Sequence, residues 1–131
     1  MKTLIVDDDF TSRLLLQGIL KTFGPAHLAA NGKEAVEAVR IALTAGEPYD
    51  LVCLDILMPE MDGQHCLREI RALEAAKGVI SSSCSKIVMI TALADSETIL
   101  EAIRGRCDRF LAKPIDKAMV LRLLRTMAMI A

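Results

Sequence analysis

The stretch Leu51-Val52-Cys53-Leu54-Asp55 is a short apolar run that ends abruptly in a carboxylate. A continuous apolar run of this length predicts a strand that is buried on both faces of a parallel sheet. The chain continues as Ile56-Leu57-Met58-Pro59-Glu60-Met61-Asp62-Gly63, whose proline and Asp-Gly pair predict a structured loop. Asp55 should therefore lie at the carboxyl edge of the sheet. A single aspartate at such a place is commonly a turn former, so its meaning depends on what the other strands bring to the same edge.

Alternating strand and helix patterns run through the rest of the chain. Apolar runs predict strands at residues 3–6, 27–30, 51–55, 87–90 and 110–112, of which the alanine-rich second is the weakest. Helical periodicity follows each strand, and turn or capping residues place the helix starts near Thr11, Asn31, Gly63, Asp95 or Ser96, and Asp116. Apolar positions of the fourth helix are Ile99, Leu100 and Ile103, and the serines at 81–83 predict a polar, mobile connection.

Five strands alternating with five helices predict an α/β fold, a doubly wound parallel sheet with helices on both faces. Ligands of such open sheets bind beyond the carboxyl ends of the strands. Because strands end at water, any one polar residue there needs no special explanation. A whole set on one rim is harder to explain in that way: Asp7 and Asp8 after the first strand, Asp55 after the third, Thr91 after the fourth and Lys113 after the fifth.

Three crowded carboxylates require something that offsets their repulsion: raised pKa values, a metal ion or Lys113. At about 4 Å and an effective dielectric constant near 20, each like-charge contact costs on the order of 4 kcal/mol. Mg²⁺ suits such a site because it binds one or two carboxylates, several waters and a phosphoryl oxygen. A carboxylate beside Mg²⁺ can attack phosphorus, and a lysine and a hydroxyl group can stabilise the transferred group. The rim therefore predicts a carboxylate that accepts a phosphoryl group, with Mg²⁺ as its cofactor.

Composition narrows the class of protein further. The 131 residues fit one domain, and 53% of them are hydrophobic although only 3% are aromatic. With 16 basic and 17 acidic residues the formal charge is −1, which gives no electrostatic case for nucleic acid or a membrane surface as a partner. No apolar stretch approaches the roughly 20 residues of a membrane span, and Asp7 comes too early for a signal peptide, so a cytoplasmic location is expected. The four scattered cysteines fit small hydrophobic residues better than metal ligands.

The same residues closely resemble the receiver domain of two-component response regulators. Four motifs carry the resemblance, in the order and at the spacing of that family: Leu4-Ile5-Val6-Asp7-Asp8, Asp55-Ile56-Leu57-Met58-Pro59 through Asp62-Gly63, Ile90-Thr91-Ala92, and Lys113-Pro114. Each motif is weak alone, whereas the four together are specific and cover nearly the whole chain. The resemblance implies the flavodoxin-like strand order 2-1-3-4-5 and one receiver domain over residues 1–131. That domain is either a stand-alone receiver or one cut from a larger protein at Ala131.

The resemblance also implies a role for each matched residue. Asp55 would accept the phosphoryl group from a sensor histidine kinase or a histidine phosphotransfer protein. Asp7, Asp8, Asp55 and the backbone carbonyl of Leu57 would hold Mg²⁺. Thr91 and Lys113 would bind phosphoryl oxygens, and Pro114 would follow a cis peptide bond. Phe110 would be a switch residue that turns inward when Thr91 moves, although it reads equally well as a core phenylalanine. The signal would pass through the fourth helix, fifth strand and fifth helix to a protein partner or a homodimer.

Two features of the chain bear on the lifetime of the phosphoryl group and on its surroundings. Leu57 and Leu93 lie two residues beyond Asp55 and Thr91, where the side chains of receivers flank the attacking water. Both are apolar and cannot orient that water, so the resemblance implies slow hydrolysis. The connection over residues 75–85 is longer than is common in the family and lies on the side away from the rim.

Two other classes of function remain as alternatives. Asp7-Asp8-Asp9-Phe10-Thr11 fits the D-x-D-x-T opening of haloacid-dehalogenase-type phosphatases, with Asp7 as nucleophile and Asp9 as acid/base. Against this alternative, the chain lacks the later acidic pair and the cap insertion of those enzymes. The alternative also leaves the loop after Asp55 unexplained. A degenerate receiver that serves only as a binding scaffold is the second alternative. It conflicts with the presence of all five rim residues.

Overall fold

The five apolar segments form one parallel sheet in the computed structural model, which describes residues 1–92 and 95–131. The strands are β1 (Thr3–Val6), β2 (Ala26–Ala29), β3 (Leu51–Asp55), β4 (Lys86–Thr91) and β5 (Arg109–Ala112). Their order in the sheet is β2-β1-β3-β4-β5, which confirms the predicted flavodoxin-like topology. The central strand β3 thus lies between β1 and β4, and the carboxyl ends of all five strands share one edge.

Five helices connect these strands and cover both faces of the sheet. They are α1 (Phe10–Leu20), α2 (Gly32–Thr44), α3 (Gly63–Ala76), α4 (Ser96–Arg104) and α5 (Lys117–Thr126). The residue before each helix accepts a hydrogen bond from a backbone N–H of the first turn through its side chain, so that one otherwise unpaired donor is satisfied. These capping residues are Asp9, Asn31, Asp62, Asp95 and Asp116.

Alternate residues of the strands feed two separate cores. Leu4, Val52 and Met89 belong to the core on one face, which α2 and α3 cover together with Ala102 of α4. Ile5 and Val88 belong to the core on the other face, which α1 and α5 cover. Because β1, β3 and β4 are buried on both faces, their sequences read as continuous apolar runs. Burial on both faces holds these strands in place, and the carboxyl edge of the sheet they form carries the predicted site residues.

The structure corrects several predicted boundaries. The first helix begins at Phe10 rather than near Thr11, since Asp9 caps it, and β2 lies one residue earlier than the predicted 27–30. The serine stretch, predicted to be a polar, mobile connection, contains a 3-10 turn at Ser81–Ser83, and its mobility stays a prediction. Ser85 lies two residues beyond this turn, and its hydroxyl donates to the Tyr49 carbonyl at 2.6 Å while its N–H donates to the Glu74 carboxylate at 2.8 Å.

The fourth helix packs differently from the pattern in its sequence. Its large apolar side chains Leu100 and Ile103 are exposed, and the small Ala102 is the residue that is buried. Helix α4 therefore sits on the sheet through a narrow contact. A separate observation concerns membranes: within the described ranges, none of the helices has the length and apolar character needed to cross one.

Candidate functional site

Three carboxylates meet at the carboxyl edge of β1 and β3. Asp7, Asp8 and Asp55 each offer a carboxylate oxygen, and these three atoms lie within 4.8 Å of one another. Asp7 and Asp55 are almost completely buried, with 1% and 3% of their surface exposed, whereas Asp8 is exposed. The structure thus brings together the three aspartates that the sequence places after two different strands.

Strand pairing explains why these carboxylates converge. Val6 of β1 pairs with Leu54 of β3, so the next residue of each strand, Asp7 and Asp55, reaches the same level of the sheet. Backbone hydrogen bonds continue beyond the strands, since the Asp7 N–H donates to Ala29 at 3.2 Å and the Ile56 N–H donates to Ile90 at 3.0 Å. The positions of the two acids are therefore set by the sheet.

Lys113 joins the cluster from the end of β5. Its Nζ lies 3.2 Å from Asp7 Oδ2 and 3.6 Å from Asp55 Oδ2. Burial of the ammonium group opposes its charged form, but the carboxylates of Asp55 and Asp7 outweigh that effect and raise the pKa of Lys113. The lysine therefore stays charged and neutralises part of the acidic cluster.

The environment of Asp55 changes its proton affinity strongly. Burial is the largest cause and the Asp7 carboxylate the second, and together they raise the pKa of Asp55 from 3.8 to about 7 although Lys113 acts in the opposite direction. A metal-free carboxylate with this pKa holds its proton for part of the time near neutrality. A divalent cation bound to the cluster would favour the ionised form and displace that proton.

The raised pKa leads to a prediction for Asp55→Asn in chelator. Because the folded-state pKa exceeds the ordinary value of 3.8, the folded protein binds more protons than the unfolded chain between about pH 4 and pH 7, so its stability falls as pH rises through that window. Asparagine removes this effect. The free energy of unfolding at pH 8 should therefore rise by on the order of 2–4 kcal/mol in urea titrations, with little change near pH 4.

Glu47→Gln is the control for this stability measurement, since Glu47 is an exposed acid outside the cluster. It should leave the pH profile of stability as it is in the original protein. Equal stability of the Asp55→Asn variant and the original chain at pH 8 would contradict a strained metal-free cluster.

Asp9, the third residue of the acidic run, has a different role. Its carboxylate accepts hydrogen bonds from the Ser12 N–H at 3.3 Å and the Ser12 hydroxyl at 2.7 Å, as the N-cap of α1. The hydroxyl bond is the largest cause of a lowered pKa of Asp9. An acid that caps a helix and holds its charge is poorly suited to the acid/base role that the phosphatase alternative requires of it.

The remaining predicted residues lie at the same edge of the sheet or just beyond it. Thr91 is fully buried at the end of β4, directly after Ile90, which pairs with Asp55. The Thr91 carbonyl accepts a hydrogen bond from the Lys113 N–H at 2.8 Å, and the peptide bond between Lys113 and Pro114 is cis. Leu57 follows Asp55 in the loop before α3, with half of its surface exposed.

Of the last two predicted residues, Phe110 lies within the described part of the chain and Leu93 does not. Phe110 on β5 is partly buried and packs against the core under α3 and α4. Its side chain is therefore neither fully inside the core nor free in solvent. Leu93, which was predicted to flank the path of the attacking water, lies outside the described residues.

Sequence reasoning missed a buried polar network on the opposite side of the molecule. Arg71 of α3 is 7% exposed and donates to the Glu74 carboxylate at 2.8 Å and to Asp108 at 3.0 Å. It also donates to the backbone carbonyls of Ser85 and Arg106. The sequence signal for this network was the pair Arg71 and Glu74, which have opposite charges and lie three residues apart on α3, beside its apolar face. Such pairs usually lie at the surface, so the pattern alone does not indicate burial.

The donor set fits a hard divalent cation such as Mg²⁺. Carboxylate oxygens from two adjacent strand ends converge within one cluster, of which Asp8 faces solvent. Mg²⁺ prefers oxygen ligands, keeps several waters, and therefore favours a partly open site of this kind. Lys113 is the one cationic side chain that the ion pairs of the described residues place against these aspartates, so the cluster keeps a net negative charge that a cation can neutralise.

Comparison with known proteins agrees with this geometry. The family model of the response regulator receiver domain matches residues 3–125. The transcriptional regulatory protein ZraR of Escherichia coli K12 is 37% identical over 114 residues, which cover 86% of this chain and 23% of ZraR. The histidine kinase CKI1 of Arabidopsis thaliana is 35% identical over 127 residues, which cover 88% of this chain and 11% of CKI1. The chain thus spans less than a quarter of the length of these curated relatives.

Solved structures show the same similarity. The receiver domain of CKI1 complexed with Mg²⁺ and BeF₃⁻ superposes with a TM-score of 0.82 at 31% identity, covering 98% of this chain and 90% of that one. The chemotaxis protein CheY4 of Vibrio cholerae gives a TM-score of 0.78 at 25% identity, covering 95% and 96% of the two chains. With a family model that matches residues 3–125, this chain belongs to the response regulator receiver domain family of two-component systems.

Proposed function

We propose that this domain is a phosphorylation-activated switch in which Asp55 accepts a phosphoryl group in a Mg²⁺-dependent reaction. The observation that carries the proposal is the convergence of Asp7, Asp8 and Asp55 within 4.8 Å, with Lys113 in contact with two of them. Membership of the receiver family supports it, as does the neighbouring structure of the CKI1 receiver with Mg²⁺ and BeF₃⁻. The domain would modify itself and act on no separate small substrate.

The proposed chemistry is transfer from a phosphohistidine of a sensor histidine kinase or a histidine phosphotransfer protein. An Asp55 carboxylate oxygen forms a bond to phosphorus while the P–N bond breaks. The electron pair of that bond remains on the imidazole nitrogen, which takes a proton from solvent. The Asp55 carboxylate must be ionised to attack, and Lys113 favours that form. We infer that Lys113 and the Thr91 hydroxyl then stabilise the charge on the transferred oxygens.

Four groups would hold the metal ion: the carboxylates of Asp7, Asp8 and Asp55 and the backbone carbonyl of Leu57. When bound, Mg²⁺ would supply positive charge to the carboxylates and to a phosphoryl oxygen. The carbonyl of Leu57 belongs to this set by family resemblance, and the carboxylates also by their convergence. Asp8→Ala should keep the fold, because Asp8 is exposed, and should weaken Mg²⁺ binding.

Labelling with acetyl phosphate tests the proposal directly. Intact-mass spectrometry of the chain with acetyl phosphate and Mg²⁺ should show one added phosphoryl group, and chelation of Mg²⁺ should prevent it. A scaffold-only receiver would acquire no label in either condition. A phosphatase of the alternative class would consume the reagent and would carry its label on Asp7, so mapping the labelled peptide separates the two cases.

A shallow depression beside the rim gives the phosphate donor a place to bind. Leu15 of α1 is nearly half exposed and lines it together with Lys113, Pro114 and Ile115. The depression has a volume of about 380 Å³ and lies next to the lysine of the acidic cluster. An apolar patch adjoining a charged reaction centre suits the histidine-bearing helix of a protein donor better than a small molecule.

The proposed output surface is the face formed by α4, β5 and α5. Leu100 and Ile103 of α4 are large, apolar and exposed. Charged residues in and next to these elements are also exposed, namely Glu101, Arg104, Arg106, Arg109, Lys117 and Arg122. Apolar side chains surrounded by charged ones are typical of a protein interface. We infer that phosphorylation changes this face through Thr91 and Phe110, for a protein partner or a second copy of the chain.

Ile103→Arg tests the homodimer form of this output. With beryllofluoride and Mg²⁺ as the phosphoryl mimic, light scattering should show dimers for the original chain and at least roughly tenfold weaker association for Ile103→Arg, because a charge would be buried in the interface. Ile41→Arg on α2 is a matched control, since Ile41 is equally exposed on another helix. A monomer under all conditions would assign the surface to a different protein.

The lifetime of the phosphoryl group provides a separate prediction. Leu57 is half exposed at the loop that follows Asp55 and has no polar group to orient water. Leu57→Asn should therefore speed spontaneous dephosphorylation by roughly tenfold, and Leu57→Asn with Leu93→Glu should speed it further. Decay of the label, followed by intact mass after removal of acetyl phosphate, measures the rate. Leu57→Ala opens the same space without a polar group, and equal rates in Leu57→Ala and Leu57→Asn would contradict the role of water orientation.

We also propose a cytoplasmic location. The four cysteines are free thiols, and two of them are buried, as expected for a protein of a reducing compartment.

A further inference from the structure

Three polar residues of α3 face α4 in a row. Gln64, Arg68 and Arg71 are spaced four and three residues apart, so they share one face of the helix. Gln64 Nε2 donates to the Thr98 carbonyl at 3.1 Å, Arg68 Nη1 lies 3.4 Å from Glu101, and Arg71 donates twice to the Arg106 carbonyl. The row thus contacts the first turn of α4, its middle and the segment directly after its end, in turn.

The two ends of this row differ greatly in how well their hydrogen bonds are satisfied. Arg71 is buried, and its Nε, Nη1 and Nη2 atoms together donate to two carboxylates and two backbone carbonyls. Gln64 is also buried, at 4% exposure, yet no described residue donates a hydrogen bond to its Oε1. A buried, unsatisfied carbonyl oxygen costs free energy that contact with water would recover. The contact at the start of α4 is therefore much easier to break than the contact at its end.

Within residues 1–92 and 95–131, the structure shows few other contacts that hold the start of α4 in place. Ala102, near the end of the helix, is its one buried residue, while Leu100 and Ile103 are exposed. The Arg68–Glu101 pair is exposed on both sides and contributes little. Gln64 therefore contributes an appreciable part of the attachment of the first turn of α4.

Gln64 also lies next to the reaction centre. It follows Gly63, whose N–H donates to the Ile56 carbonyl at 2.8 Å. A Cβ at Gly63 would approach the Asp55 carbonyl oxygen to 2.3 Å, so α3 begins in direct contact with the backbone of Asp55. Asp55 is thus connected to the first turn of α4 by its backbone contact with Gly63, by the adjacent Gln64, and by the hydrogen bond from Gln64 to the Thr98 carbonyl.

We propose that Gln64 is a positioning residue that holds the first turn of α4 in the unphosphorylated state and releases it on phosphorylation, while Arg71 keeps the end of α4 fixed as a hinge. The inference rests on the proposed function of Asp55 for its trigger, but the holding role of Gln64 requires no phosphorylation. The motion is a tilt of α4 about its carboxyl end, which alters the surface that carries Leu100 and Ile103.

Gln64→Met tests the holding role because methionine keeps the side-chain volume and removes the bond to Thr98. Amide exchange by NMR should rise about fivefold at Ile99, the factor that corresponds to one neutral hydrogen bond, and should not change at Cys107 beyond the hinge. Gln17→Met is a matched control, since Gln17 Nε2 also donates to a backbone carbonyl at 3.1 Å, that of Ala26, and does not contact α4. An unchanged exchange rate at Ile99, or an equal rise of the rate at Ile99 and Cys107, would overturn the proposal.

The affinity for beryllofluoride in the presence of Mg²⁺ separates positioning from simple packing. If α4 is released on phosphorylation, a variant in which α4 is already free spends no binding free energy on that release and binds the mimic more tightly. The expected increase in affinity is about fivefold for Gln64→Met, with no measurable change for Gln17→Met. Weaker or equal binding by Gln64→Met would leave Gln64 as a packing residue only. Failure of the original chain to bind the mimic would refute the proposed function and the coupling, whereas the exchange at Ile99 would still decide the holding role.

Discussion

Asp55→Asn is expected to abolish labelling by acetyl phosphate, down to the level seen when Mg²⁺ is chelated. Asparagine has the shape of aspartate but lacks the ionised oxygen that attacks phosphorus. Asp7 is not expected to substitute for it. The two carboxylate oxygens of Asp7 accept hydrogen bonds, from the Asp9 N–H at 2.9 Å and from Lys113 at 3.2 Å, and this lowers their availability as nucleophiles.

The measurement is intact mass over time, followed by mapping of the labelled peptide. Asp50→Asn is the matched control, because Asp50 is an exposed aspartate that precedes the same strand at its other end. It should label at the rate of the original chain. Undiminished labelling of the Asp55→Asn variant, or label mapped to Asp7, would overturn the assignment of the nucleophile.

Arg71→Met is expected to cause the largest loss of stability, on the order of 3–5 kcal/mol, since it leaves a buried charge without its partner. Glu74 is 2% exposed and would lose the cation that its carboxylate contacts, which costs free energy in a buried site. The backbone carbonyls of Ser85 and Arg106 would also lose their donor. These contacts anchor the connection before β4, so the variant should also expose that connection to proteases.

Urea denaturation measures this loss, with Arg68→Met as control. Arg68 lies on the same face of α3, but its pair with Glu101 is exposed, so its replacement should cost less than about 1 kcal/mol. The double variant Arg71→Met with Glu74→Met should recover part of the lost stability, because it removes the unpaired acid. A loss for Arg71→Met no greater than that for Arg68→Met would show that the buried network does not stabilise the fold.

Local sequence patterns were sufficient for the fold class, a parallel sheet with helices on both faces, whereas the strand order followed from the family resemblance. Because β1, β3 and β4 are buried on both faces of the sheet, their sequences are continuous apolar runs, which predict strands. Parallel strands joined by helices then allow few arrangements of the sheet. The weaker predictions failed where the local signal is poor. Strand β2 is alanine-rich and half exposed at the sheet edge, and its bounds lie one residue earlier than predicted. The apolar pattern of α4 did not predict which of its residues are buried, because a short helix with a narrow contact needs only Ala102 against the core.

By itself the sequence determined which residues follow the strands and therefore that Asp7, Asp8, Asp55, Thr91 and Lys113 share one edge of the sheet. Only the tertiary structure decided the burial of Asp55 and its raised pKa, because both depend on the atoms that surround the carboxylate in three dimensions. It alone distinguished Asp9, a helix cap, from its two neighbours. It also decided that Arg71 and Gln64 are buried, since contacts between α3, α4 and the end of a distant loop leave no periodic trace in the chain.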